Sequence, residues 1–361
     1  MKIVFINNLY KPYARGGAEK VVEQRALKAL EQNNEVIIIT LAKNKSEHNQ
    51  VFWDGKIKII RIYPQNIFSY FDLSKHNYFI KLIWHFIDIF GCMSELKQIL
   101  LFEKPNIVET HNLIGLGVYK VHKILKSLKS DVKWNHYLHD VQLVEPSGVL
   151  AWYHQKDSFV QKIYSKIMKQ KFRAVDEVIS PSKFLKEFYK KRGFFQNSEF
   201  RVQNLQSMFE KKQEKSNLKL ESTNQEFKFL FVGSLTEHKG IRVLMKAWDF
   251  FDNKQGYWLN IVGDGNLCAE VEEWSKNKKN VQMFGRLESK QLENIYNHSD
   301  ILIIPSICLE NYPTVILEAQ KYGLQIIASD TGGIRELVAE ENLFEPENVE
   351  ELVKKIKEKS R

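Results

Sequence analysis

From Cys308 to Gly333 the chain reads CLENYPTVILEAQKYGLQIIASDTGG, with two carboxylates, Glu310 and Glu318, on either side of Pro313. The apolar run Asp300 to Pro305 ahead of it reads as a strand. Pro313 suits a first helical turn, where its missing N–H would be unpaired anyway. The N–H groups of Thr314 and Val315 then point toward the preceding loop, and free donors at the positive end of a helix suit a diphosphate. Glu310 lies before the helix and Glu318 about one and a half turns into it. The two carboxylates can therefore hold hydroxyls on either side of such an anion. After Gly323 a strand, Gln325 to Ser329, leads to Asp330-Thr331-Gly332-Gly333 at the same edge, where parallel sheets bind ligands. In isolation, two carboxylates at this spacing would be a solvated helix face, so the accompanying residues carry the weight.

Several loops follow other strands. Ala14-Arg15-Gly16-Gly17-Ala18-Glu19 opens a helix with two glycines that allow a phosphate close to the backbone. Gly233-Ser234-Leu235-Thr236-Glu237-His238-Lys239-Gly240 places Lys239, a point charge for phosphate, beside a helix start. Tyr137-Leu138-His139-Asp140 brings a histidine and a carboxylate to a strand's carboxyl end, where a lone histidine is more often structural. His136, His139 and Asp140 lack a third histidine or a cysteine at zinc spacing, which argues against a metal. Gly263-Asp264-Gly265 and Gly285-Arg286-Leu287 are tight turns that serve equally well as structure.

The elements that must position these groups alternate. KIVFIN, a helix from about Ala18 to Leu30, EVIIIT, PNIVETH and KWNHYLH begin one series; FKFLFV, WLNIVG, VQMFG, DILIIP and QIIAS form another. That alternation predicts an α/β fold with mainly parallel sheets. The polar stretch 206–226 reads as a linker between a domain at 1–205 and one at 227–361, with an interdomain cleft for two substrates. A length of 361 residues with 43% hydrophobic content supports two domains. No segment is long enough to span a bilayer, and the start MKIVFINN lacks signal-peptide features, so a cytoplasmic protein is expected. Cys92, Cys268 and Cys308 are odd in number and far apart, which fits neither a disulfide framework nor a zinc site.

Net charge is +9, unevenly divided. Residues 1–205 hold 32 Lys and Arg against 19 Asp and Glu, and residues 206–361 hold 21 against 25. The basic half attracts nucleic acid, anionic lipid or a polyanionic substrate, among which composition does not choose. Tyr78 to Phe90 is apolar except for one polar stripe, Lys81, His85 and Asp88, and is expected to be deeply packed or partly inserted in lipid. Ser158 to Val175 sets Phe159, Ile163, Ile167 and Phe172 on one side and Lys162, Lys166, Lys169 and Arg173 on the other. A basic amphipathic helix of this kind can lie on an anionic membrane or grip a lipid diphosphate; the alternative is ordinary core packing.

In order, GGAE, His111-Asn112, LHD, SPSKF (Ser180 to Phe184), FVGSL…HKG, IVGDGN, FGRL, E-x7-E and SDTGG resemble the retaining glycosyltransferases of family four over nearly the whole chain. The resemblance implies the GT-B fold, two facing Rossmann-like domains. It implies that Lys239 and Ser234 hold the donor diphosphate, that Gly16-Gly17 covers it, and that the Thr314 and Val315 amides cap it. Glu318 would hold the ribose, Glu310 the transferred sugar, with Asn311, Tyr312 and Pro313 on the same loop. His139 would sit beside the sugar, and Gly285, Arg286 and Leu287 would meet the base through backbone atoms. The implied reaction is metal-independent transfer of a hexosyl unit from a UDP or GDP sugar, with no other cofactor, by same-face attack in which a donor phosphate oxygen takes the acceptor proton. A helix start and Lys239 can stabilise the leaving diphosphate without a divalent ion, and no D-x-D pair is found.

Two departures stand out. Family members often carry arginine where Ser234 stands, and relatives usually continue through a further helix beyond Val349 to Lys357. The basic first half adds an expectation of a lipid-linked saccharide acceptor and a peripheral place on the inner face of the cytoplasmic membrane. Rival readings are a sugar-nucleotide epimerase or hydrolase on the same fold and a non-catalytic sugar-nucleotide-binding subunit. A nicotinamide dehydrogenase is disfavoured because no G-x-G-x-x-G follows the first strand, and a nucleic-acid binder would leave the E-x7-E pair unexplained.

Overall fold

The structure, a computed structural model, describes residues 1–14, 16–63, 66–90, 94–128, 131–206, 226–252 and 254–360. Arg15, Cys92 and nearly all of the expected linker 206–226 lie outside the described residues. Contacts divide the chain into two units. The first comprises Met1–His139, Phe159–Pro181 and Lys186–Gln203; the second comprises Asp140–Ser158, Ser182–Leu185 and Asn204–Arg361.

Along the first stretch the elements are β1 (Lys2–Ile6), α1 (Gly17–Glu31), β2 (Glu35–Leu41), β3 (Val51–Asp54), β4 (Ile57–Ile62), α2 (Tyr78–Phe90), α3 (Ser94–Glu103) and β5 (Ile107–Thr110). There follow α4 (Val118–Ser127), β6 (Lys133–Tyr137), α5 (Phe159–Lys171), β7 (Glu177–Ser180), α6 (Lys183–Lys191) and β8 (Glu199–Val202). The sheet runs β3-β4-β2-β1-β5-β6-β7-β8, parallel except for the β3–β4 pair. β1 and β2 read as near-continuous apolar runs because, as central parallel strands, they are covered on both faces. The β3–β4 hairpin was not among the expected strands, although Asp54-Gly55 is its turn signal, with Gly55 at φ +60°.

The second unit continues with β9 (Phe227–Val232), α7 (Ile241–Trp248), β10 (Tyr257–Val262), α8 (Cys268–Ser275), β11 (Val281–Gly285) and α9 (Ser289–Asn297). It ends with β12 (Ile301–Ile304), α10 (Thr314–Lys321), β13 (Gln325–Ser329), β14 (Leu343–Phe344) and α11 (Val349–Lys359). Its sheet, β11-β10-β9-β12-β13-β14, is wholly parallel. The core packs Phe229, Trp248, Phe251 and Tyr257 against Leu352, Val353 and Ile356 of α11. Glycine is required where loops meet at the carboxyl edge. A Cβ on Gly240, at φ +70°, would lie 1.7 Å from the Pro305 carbonyl oxygen.

The structure orients the two helices that the sequence left open. In α2 it is the polar stripe that turns inward: Asp88 is buried and accepts the Gly115 and Gly117 amides at 2.8 and 3.2 Å, beside fully buried Trp84. Burial pushes the Asp88 carboxyl up to about 7 against those two hydrogen bonds. The apolar residues Phe79 (76% exposed), Leu82, Ile83 and Phe86 (66%) face solvent. In α5 the buried side is Ser165 and Met168, continued by Phe172, while Phe159, Val160 and Ile163 are exposed. The core therefore takes the middle of that helix, not its apolar start. Among the described residues no helix is long and apolar enough to cross a membrane.

Candidate active site

Strand β12 delivers Ser306, Cys308 and Glu310 to the carboxyl edge of the second sheet. Glu310 Oε1 accepts from Lys239 Nζ at 2.6 Å and from Ser306 Oγ at 2.7 Å, with Cys308 Sγ 3.9 Å away. Burial alone would raise the Glu310 pKa, but the Lys239 charge and these bonds hold it below the usual carboxylate range. Burial likewise opposes the charge on Lys239, and Glu310 outweighs it, so that pKa is raised. Both groups are charged, and they neutralise each other. Burial beside Glu310 pushes the Cys308 thiol up to about 12, so it is not a nucleophile at neutral pH.

The loop around Glu310 is held by the turn that follows β13. Ser329 Oγ donates to the Ser306 carbonyl at 2.7 Å, Thr331 Oγ1 to the Cys308 carbonyl at 3.0 Å, and the Gly333 amide to the Glu310 carbonyl at 2.7 Å. A Cβ on Gly332 would lie 2.0 Å from the Glu310 carbonyl oxygen and one on Gly333 1.9 Å from that of Asn311. The Gly-Gly pair is thus a packing requirement of the Glu310 loop. Three stretches that precede the second sheet in sequence also brace it. The Leu309 amide donates to the Leu150 carbonyl at 2.8 Å and that of Trp152 to Ile307 at 3.1 Å. Ser182 Oγ donates to Asn311 Oδ1 at 2.5 Å, and the Tyr312 hydroxyl bonds Asn204.

Pro313 is the N-cap of α10, one residue ahead of the expected first turn, so Thr314 and Val315 hold the first two helical positions. Amides there have no acceptor within the helix. Glu318, one turn on, is buried and accepts from the Tyr296 hydroxyl at 3.2 Å, and Tyr296 stacks on Tyr322 at 5.5 Å. A buried carboxylate held from one side is not a solvated helix residue. Lys239 closes a short turn from Glu237, and the exposed Ser234 hydroxyl lies 3.4 Å from that of Thr236. Gly285 ends β11 at φ +63° with its carbonyl accepting the Gly263 amide, and Arg286 is exposed.

The remaining candidates belong to the first unit. Gly16 caps α1, its amide donating to Glu19 Oε2 at 2.7 Å; its φ of −157° is open to any residue. Its use is space, since a Cβ there would meet only that carboxylate, at 3.9 Å. His139 Nε2 lies 2.8 Å from His111 Nδ1, and His111 Nε2 lies 3.0 Å from Glu109 Oε1 without forming a hydrogen bond. Glu109 is clasped by Arg25 through both oxygens. Burial opposes the Glu109 charge, yet Arg25 and His111 hold its pKa well down; burial lowers the pKa of both histidines. Glu109 and Arg25 escaped the sequence reading. Their only signal is a charged residue inside the apolar strand IVET and another on the buried side of α1. Of the α5 cations, Lys162, Lys166 and Arg173 are exposed, whereas Lys169 donates to the Arg192 carbonyl at 3.2 Å.

Comparison with known proteins agrees with this architecture. The family model of Glycosyltransferase Family 4 matches residues 15–202, more than half of the chain, and that of Glycosyl transferases group 1 matches 212–359. An uncharacterized 42.6 kDa protein in the cps region of Klebsiella pneumoniae is 27% identical over 350 residues, covering 93% of this chain and 87% of that one. Sucrose-phosphate synthase from Thermosynechococcus elongatus is similar in structure, with TM-score 0.71, 19% identity and coverage of 99% of this chain and 89% of that one. The Anabaena protein HepE in complex with UDP-glucose has TM-score 0.64, 16% identity and coverage of 99% and 89%. These likenesses show a GT-B fold.

Proposed function

The chain belongs to glycosyltransferase family 4, and from that premise we propose that it moves a hexosyl unit, with retention of anomeric configuration, from a nucleotide-diphosphate sugar to a saccharide acceptor. The observation that carries this reading is the Lys239–Glu310 ion pair at the start of α10 with buried Glu318 one turn beyond. In this assignment the Thr314 and Val315 amides and Lys239 take the diphosphate, with the Ser234 hydroxyl as a weaker donor. Glu310 takes hydroxyls of the transferred sugar and Glu318 those of the ribose. Gly285, Arg286 and Leu287 meet the base. The resemblance gives Gly16 and Gly17 a role at the diphosphate and His139 one at the sugar, and those roles are kept. HepE, crystallised with UDP-glucose, supports a nucleotide sugar as donor; a UDP or GDP sugar is assigned.

Catalysis is electrostatic. Charge develops on the leaving diphosphate, and preoriented amides plus an ammonium lower its energy without reorganisation. Because these groups already supply positive charge, no divalent ion or other cofactor is assigned. The acceptor attacks on the face the diphosphate leaves, and a diphosphate oxygen takes its proton, so no protein nucleophile is needed.

The acceptor is assigned as lipid-linked, in cell-surface polysaccharide synthesis, with the enzyme peripheral on the inner face of the cytoplasmic membrane. The relative in a cps region supports the polysaccharide part. The lipid part rests on α2, whose Phe79, Leu82, Ile83 and Phe86 form an i, i+3, i+4, i+7 stripe open to solvent. α4 packs beside α2, and α5 beside α4, adding exposed Lys123, Lys126, Lys162 and Lys166. Apolar side chains flanked by lysines fit an anionic bilayer surface.

The test is transfer from a panel of labelled UDP and GDP sugars into a lipid-extractable acceptor, with the anomeric configuration of the product read by NMR. Product of the donor's configuration supports the reading, and an inverted product overturns retention. Conversion or hydrolysis of donor without acceptor would indicate an epimerase or hydrolase. Donor binding without turnover would indicate a binding subunit, for which Ser234 in place of arginine is the favouring feature.

A further inference from the structure

The loop that carries Glu310 is tied to the amino-terminal turn of α6, a contact that the family assignment does not use. We infer that Ser182 and Glu336 are positioning residues that hold Glu310 where it reads the transferred sugar. The inference rests on the placement of that sugar at Glu310, and it adds what fixes the carboxylate there.

The first amides of α6 have no acceptor within the helix. Those of Lys183 and Phe184 donate to the two oxygens of Glu336 at 2.9 and 2.7 Å, and that of Leu185 donates to Ser182 Oγ at 3.1 Å. A carboxylate at the positive end of a helix makes the stronger kind of hydrogen bond, so this turn is firmly held. Ser182 is fully buried, and its hydroxyl has one proton to give, which goes to Asn311 Oδ1 at 2.5 Å. Asn311 directly follows Glu310 in the chain. The residue beside the sugar-reading carboxylate is therefore bonded to a capped helix start.

Glu336 reaches the same loop from the other side. It ends the short turn Gly332–Glu336, whose Gly333 amide donates to the Glu310 carbonyl at 2.7 Å. Gly333 is wedged between the partners: a Cβ there would lie 1.9 Å from the Asn311 carbonyl oxygen and 3.3 Å from Ser182 Cβ. The stretches 182–185, 310–311 and 333–336 thus close a ring of contacts, all within the second unit. Lys239 comes from a different turn, Glu237–Lys239, so opening the ring displaces Glu310 relative to the cation assigned to the diphosphate. Ser182 and Glu336 touch no substrate atom in this account.

The test joins amide exchange of the full-length protein, read by mass spectrometry, to calorimetric titration of UDP, UDP-glucose, GDP and GDP-mannose. Ser182→Ala should speed exchange at 308–311 and 331–334 by about tenfold, the equivalent of one lost hydrogen bond. Affinity for the nucleotide alone should stay within about twofold, while the extra affinity conferred by the sugar falls by about tenfold. Glu336→Gln, which keeps one acceptor oxygen for the two amides, should lie between the wild type and Glu336→Ala. Faster exchange confined to 183–191, the signature of a lost helix cap alone, would overturn the inference, as would an unchanged sugar increment in folded Ser182→Ala. If the wild type binds no nucleotide, or gains nothing from the sugar, the donor assignment fails and the exchange rates alone decide whether the ring holds the Glu310 loop.

Discussion

Lys239 Nζ lies 2.6 Å from Glu310 Oε1, so the cation assigned to the diphosphate and the carboxylate assigned to the sugar are paired before any ligand arrives. Under the proposed assignment a phosphate oxygen competes for Lys239 and, as it does so, frees Glu310 Oε1 for a hydroxyl. Binding of the two ends of the donor is therefore coupled through one ion pair.

Replacing Lys239 by Ala should cost about 1–3 kcal/mol of stability, because it leaves Glu310 in a largely buried place without its cation, supported by the Ser306 hydroxyl and the Cys308 thiol. Lys239→Ala combined with Glu310→Gln should recover much of that loss while nucleotide binding stays absent. Denaturant unfolding of the single and double variants measures the coupling; additive effects would show that the pair is not a unit.

Gly333→Ala tests the brace. The new methyl would fall 1.9 Å from the Asn311 carbonyl oxygen, so the 308–311 loop must move. The expected loss is about 1–3 kcal/mol of stability together with weakened nucleotide binding, whereas Gly323→Ala, strained by its φ of +71° but with open space for a Cβ, should lose stability and leave binding intact. Calorimetric titration of both variants separates the two.

Acid should unfold the first unit through its histidines. Burial lowers the pKa of His111 and His139 and takes His136 down to about 3, whereas unfolded histidine titrates near 6.5. Below about 6.5 the unfolded chain binds more protons than the folded one. Stability is therefore fully present above that pH and is lost as pH falls toward 3. Melting temperatures between pH 8 and 4 should drop steeply in the wild type and less in His136→Gln; a flat profile would contradict the burial of these rings.

Membrane association should depend on α2. Leu82→Ser with Phe86→Ser changes two exposed positions, so the melting temperature should hold while co-sedimentation with anionic vesicles falls at least about tenfold. Neutral vesicles should bind the wild type more weakly, since each nearby lysine contributes about 1 kcal/mol toward an anionic surface. Equal sedimentation of wild type and variant would remove α2 from the account.

Much of this was legible in the sequence, for stated reasons. Central strands such as β1, β9 and β13 announce themselves as apolar runs because a parallel sheet is covered on both faces, and α10 was marked by Pro313 and Gly323. Which way α2 and α5 face was not legible, because periodicity shows that a helix has two faces without saying which one packs. In α2 the inward face is chosen by the Gly115 and Gly117 amides, which need the Asp88 carboxylate, a long-range demand that no local window contains. The Glu109–His111–His139 cluster was hidden for the same reason: its members lie at the ends of two strands, β5 and β6, far apart in sequence and neighbours only through the sheet order.

The central claim is a nucleotide-diphosphate site built on Lys239, the start of α10 and Glu318. Its most direct measurement is calorimetric titration of UDP, GDP and ADP into the wild type, Lys239→Ala and Glu318→Ala, each with a chelator present. The account predicts selective binding of UDP or GDP that survives the chelator and is lost in both variants. Binding of no nucleotide by the folded wild type, or binding that neither substitution weakens, would contradict it.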